Sequence, residues 1–133
     1  MSEFRNSPFG FWITFDNNWT VSVQWGPGNY CHARNTPSYA TSMSAYDGKH
    51  HEIESKTCEF MIMNRSLTEY SDRGMTLAMD TDRVKGWVTP NEVAQVMYDV
   101  SQIPDNLTTY AQVAEFLAKS DWYVPEVDLE AIA

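Results

Sequence analysis

Basic side chains are scarce in this chain: nine Lys and Arg stand against eighteen Asp and Glu, a formal charge of −9. Affinity for nucleic acid rests mainly on Lys and Arg at phosphates, so the composition argues against direct DNA or RNA binding. Cysteine is scarcer still. Cys31 and Cys58 are too few for a disulfide framework, and two reduced, buried thiols are expected. No run approaches the roughly 20 apolar residues that a membrane helix needs. The start, Met1-Ser2-Glu3-Phe4-Arg5-Asn6, lacks the basic and apolar regions of a signal peptide, so a cytoplasmic location is expected.

Motifs of chemistry are missing as well. There is no Cys-x-x-Cys and no His-Glu-x-x-His. Gly26-Pro27-Gly28 offers two glycines, but the proline between them removes a donor that a phosphate cradle would use. Asp80-Thr81-Asp82 has two carboxylates, and a turn explains it more simply than a divalent ion. The expectation is a protein with no cofactor, no metal and no catalytic residues.

What is present is aromatic weight. An aromatic share of 14% lets a chain of 133 residues build a real core as one domain, residues 1–133, with residues 126–133 as a loose acidic tail. Phe11, Ile13 and Phe15 alternate with polar or outward positions, and Trp19, Val21, Val23 and Trp25 do the same. Asp16-Asn17-Asn18 between them is turn chemistry, so the two segments predict a hairpin with one buried face. Residues 57–63 place Cys58, Phe60 and Ile62 on one side, and residues 75–79 are expected to pair with them.

Helix signals follow. Thr89-Pro90-Asn91-Glu92 holds a cap, a proline at the first helical position and a capping-box acid. Val93, Val96, Met97, Val100 and Ile103 then form one apolar stripe, ending by Pro104. Thr109 to Gln112 starts a second capped helix with Tyr110, Val113, Phe116 and Leu117 inward. The predicted fold class is α+β: an antiparallel sheet of about four strands with one or two C-terminal helices packed on one face.

Between the strands runs a long segment, residues 26–56, without sustained period. Its three tyrosines (Tyr30, Tyr39, Tyr46) and all three histidines sit with Arg34 and Lys49 in an otherwise acidic chain. Aromatic faces beside cations suit a planar or anionic ligand, which makes Asn29, Tyr30, His32, Arg34, Lys49, His50 and His51 the candidate ligand- or partner-binding residues. A simpler reading is that they offset the acidic body and cap the end of the sheet. Cys31 with a nearby histidine would be the nucleophile of a thiol enzyme, but Cys31 and His32 point to opposite sides of an extended chain. His50 and Glu54 share a face only if that stretch is helical.

Two segments, 10–15 continuing through 21–31 (GFWITF and VSVQWGPGNYC) and 84–94 (VKGWVTPNEVA), resemble a group of small bacteriophage and mobile-element proteins of unassigned function. The resemblance implies a setting and no active residue; residues 32–56 and those after Ile103 fall outside its pattern. Small acidic proteins in that setting without catalytic motifs often act stoichiometrically. The expected function is therefore a non-enzymatic accessory protein that inhibits a host protein, an antiviral-defence protein among the candidates. Its surface would be the last third, where eight acids face one base between Glu92 and Ala133. The alternatives are a binder that sequesters a nucleotide-like signal through residues 26–56, and a hydrolase or metal-dependent enzyme using Cys31 and histidines.

Overall fold

The computed structural model describes residues 2–7, 9–26, 31, 55–68, 71–78 and 83–123. Six strands form one sheet: β1 (Glu3–Ser7), β2 (Gly10–Thr14), β3 (Thr20–Gln24), β4 (Cys58–Asn64), β5 (Met75–Thr76) and β6 (Val84–Val88). Among the described residues two helices follow, α1 (Pro90–Ser101) and α2 (Tyr110–Leu117). The order is β1-β2-β3-β4-β5, all antiparallel, and β6 pairs with the other end of β4. The α+β class is as expected, with six strands among the described residues against the expected four or so.

The two extra strands have a physical reason for escaping a hydrophobic reading. Of β1, the side chains of Glu3, Phe4, Arg5 and Asn6 are all exposed, so only backbone pairing makes it a strand. In β6, Lys85 pairs with Phe60 and Val88 with Cys58, leaving Gly86 and Trp87 opposite Glu59 alone. That is a β-bulge, and it breaks the two-residue alternation on which strand prediction depends.

The hairpin forms where the turn chemistry placed it. Asn18 takes the left-handed backbone (φ 70°), and Asn18 N–H donates to the Phe15 carbonyl at 2.9 Å. Asn17 does more than turn the chain. Its Nδ2 donates to the Val100 carbonyl at 2.9 Å and the Ile103 carbonyl at 3.1 Å. The last carbonyls of a helix lack partners within it, so the β2–β3 turn caps α1 and fixes the helix across the sheet.

Val21 registers with Ile62 and Val23 with Phe60, which lines one face of β3 and β4 with apolar side chains. Onto this face come Val93, Val96 and Val100 of α1 and Tyr110, Val113 and Leu117 of α2, all buried in a single cluster. Phe116, expected inward, is half-buried, and Ala114 takes the inner position instead. Both helices start as expected: Thr89 with Glu92 and Thr109 with Gln112 each close a reciprocal capping box. Tyr110 Oη accepts from Ala78 N–H at 2.8 Å and donates to its carbonyl at 3.3 Å, tying the first turn of α2 to the chain after β5. Trp122 packs edge-on to Phe60, with centroids 5.8 Å apart, and closes the core beyond α2. Among the described residues no helix is long and apolar enough to cross a membrane.

The opposite face of the hairpin departs from expectation. Thr20 and Ser22, on the other side of β3 from Val21 and Val23, are also about 95% buried.

Candidate functional site

The sequence-based candidates Asn29, Tyr30, His32, Arg34, Lys49, His50 and His51 all lie outside the described residues, as do the possible helix at 41–46, Asp80 to Asp82 and the tail at 126–133. Their stems are visible. Gln24 registers with Glu59, so the chain leaves and re-enters the sheet side by side. There Val23, Trp25, Cys58, Val88, Pro90 and Val93 line an apolar recess of about 260 Å³.

Both cysteines are free and buried. Cys31 has no exposure; Gly26 N–H donates to its sulfur at 3.3 Å and the thiol donates to the Gly26 carbonyl at 3.7 Å. Burial pushes the Cys58 thiol from 9.0 up to about 11, with the charges of Cys31, Glu59 and Glu92 adding to it. A nucleophilic thiol needs exposure, and both sulfurs are buried. Among the described residues no group of three or more His, Cys, Asp and Glu could hold a metal ion.

A second hollow lies elsewhere on the described surface. A cleft of about 610 Å³ runs between Lys85 of β6, the flank of α1 at Asn91, Glu92, Gln95 and Asp99, and the segment from Lys119 to Trp122. Its floor is a closed polar knot. Asp99 accepts from Trp122 Nε1 at 2.6 Å, Ser120 Oγ at 2.9 Å and Gln95 Nε2 at 2.9 Å. Lys85 Nζ donates to the Trp122 carbonyl. With its carboxylate engaged by three donors, Asp99 pins the 119–122 segment to α1.

The rim is open. Asn91, Glu92, Gln95, Lys119 and Asp121 are exposed. Glu92 has its carboxyl held below the usual range, first by the Thr89 backbone N–H and then by the Thr89 hydroxyl, so it stays an anion at the mouth. Asn91, Ala94 and Tyr98 follow at three and four residues, one solvent-facing stripe of α1, and Tyr98 is 62% exposed. Of the eight acids in the last third, Glu92, Asp105, Glu115 and Asp121 face solvent, while Asp99 is spent on the knot.

Trp87 completes this surface. It occupies the bulge between Lys85, which lines the cleft, and Val88, which lines the apolar recess. Its backbone is left-handed (φ 59°), and its side chain is 58% exposed. For a bulky residue that conformation is unusual and unfavourable. Sequence reading could have found part of this surface, since Asn91, Glu92, Gln95 and Tyr98 fall off the apolar stripe of α1. Nothing in the sequence pairs Asp99 with Trp122 or aims Trp87 outward. Comparison with protein-family models, with curated proteins and with solved structures finds no match to this chain.

Proposed function

We propose that this chain is a non-catalytic binding protein that inhibits a host protein by stoichiometric occupation of one of its surfaces. The observation that carries the reading is Trp87. A left-handed backbone at an L-residue is unfavourable by roughly 1–2 kcal/mol, and here it holds a large ring mostly in water, where burial returns little to the fold. Such strain persists where a residue serves something other than stability. Tryptophan and tyrosine are the side chains that most often anchor protein interfaces, and Tyr98 stands on the helix that Trp87 introduces. The resemblance of residues 84–94 to phage and mobile-element proteins supplies the setting: the partner is a bacterial protein, a defence protein first among the candidates.

The cleft beside these anchors supports binding over turnover, because its central carboxylate and lysine are committed to other groups of the protein. Glu92 and Asp121 at its rim favour a partner with a basic surface, and the affinity then falls steeply as salt rises. Native mass spectrometry of the protein recovered from bacterial cells expressing it tests the reading. A protein partner at one-to-one stoichiometry is expected with the wild type, and its loss with Trp87→Gly and Tyr98→Ala. A co-purified small mass without any protein partner, lost on substitution within residues 26–56, would replace this reading with the nucleotide-like ligand. A partner retained by both variants would remove Trp87 and Tyr98 from the interface.

A further inference from the structure

The geometry points to a second binding site, on the sheet face away from the helices, that takes the phosphate monoester of a small molecule between Arg5 and Arg65. The β1–β2 register sets Arg5 opposite Trp12, so both leave the sheet on the same side. The Arg5 guanidinium carbon lies 5.9 Å from the centre of the Trp12 ring. Arg65, one residue past the end of β4, lies over the same ring at 4.7 Å. Two guanidinium groups thus converge on one indole.

Two like charges set over one ring need a reason in a chain with twice as many acids as bases. Among the described residues neither guanidinium has an ion pair or a side-chain hydrogen bond. Glu3 lines the same cavity without an ion pair to either. The aromatic ring orients both cations and leaves their N–H groups open. Each guanidinium offers a planar fork of donors that matches two oxygens of one anion, and a pair of forks matches a tetrahedral dianion. A monoester phosphate carries that charge and shape; a carboxylate would neutralise only one of the two.

The surroundings are built. The cavity holds about 320 Å³ and is lined by Thr14, Asn18, Thr20 and Ser66 besides the arginines and Trp12. That is the small end of ligand-site volumes, enough for a mononucleotide-sized molecule and not for a protein segment. The Thr14 and Thr20 hydroxyls share a hydrogen bond of 2.8 Å on its floor, leaving lone pairs and one proton for a ligand. Arg65 does not sit on a slack loop. Asn64, buried, accepts from Ser66 N–H at 2.9 Å and Ser66 Oγ at 2.6 Å, which sets the turn that carries Arg65. Gly74, at φ 91°, packs against that turn so closely that an added Cβ would lie 2.5 Å from the Arg65 Cα. The whole-molecule charge of −9 repels a polyanion, but screening confines that repulsion to about 10 Å, so a small dianion still meets the local pair of cations.

Isothermal titration with adenosine 5′-monophosphate, inorganic phosphate and adenosine as probes tests the site on the intact protein. Both phosphate-bearing probes bind and adenosine does not; Arg5→Gln and Arg65→Gln each weaken binding at least about ten-fold, the loss expected for one charged hydrogen-bonding partner. Because both arginines are exposed, the melting temperature of these variants stays that of the wild type. Arg65→Lys, which keeps the charge and loses the fork, also weakens binding. Tighter binding of the monophosphate than of phosphate identifies a nucleotide as the source; equal binding identifies the oxyanion itself. Absence of binding at about millimolar probe, binding of adenosine, or binding unchanged by both glutamine variants would overturn the proposal.

Discussion

Replacing Trp87 by glycine and, separately, by alanine isolates the backbone strain from the loss of the ring. Both variants delete the indole. With 58% of the residue exposed, under half of a Trp surface is given up; at about 25 cal/mol per Å² over roughly 100 Å² the loss is at most about 2.5 kcal/mol. That term is common to the two and drops out of their difference. Alanine keeps a Cβ in the left-handed region at φ 59°, whereas glycine adopts it freely. In an ordinary strand glycine is less stable than alanine by about 0.5–1 kcal/mol. Here the order inverts, and the glycine variant is the more stable by about 1 kcal/mol. Urea unfolding followed by far-UV circular dichroism reads the difference as a shift in midpoint at constant slope. Alanine matching or exceeding glycine would refute the claim that this backbone is strained, and with it the reason for reading Trp87 as an anchor.

Three other outcomes are expected. Asn17→Ala removes the side-chain donor from the Ile103 carbonyl and from the Val100 carbonyl, which keeps the Ile103 N–H, and two partly buried hydrogen bonds at up to about 1 kcal/mol each give a loss of about 1–2 kcal/mol in urea unfolding. Glu92 has a lowered pKa in the folded state, so its contribution is present above the ordinary Glu range and disappears as pH falls through the depressed value; Glu92→Gln should flatten that part of the acid limb. Cys58 titrates the other way. Its folded pKa of about 11 exceeds the ordinary 9.0, so its contribution holds below pH 9.0 and is lost between there and 11. Iodoacetamide should accordingly leave Cys58 unmodified at pH 8 until urea unfolds the chain, as intact-mass measurement would show.

Side-chain periodicity was enough to place the β2–β3 hairpin, β4, β5 and both helices, because each declares itself within a few residues. Alternation of Val21 and Val23 buries one face of a strand, and a Thr–Glu or Thr–Gln box satisfies orphan amides locally. The same local rules put Asn91, Glu92, Gln95 and Tyr98 on the wet side of α1. They are silent on β1, whose four exposed side chains carry no pattern, and on β6, whose bulge erases one.

Both candidate surfaces depend on those silent strands. Arg5 meets Trp12 only through the pairing of β1, Arg65 arrives from the far end of β4, and Asp99 finds Trp122 across 23 residues. Local sequence dictates conformation and burial by short-range sterics and hydrogen bonding. Which distant groups share a surface is settled by the register of backbone pairing and by the packing of helices on a sheet, and neither leaves a mark in residue order.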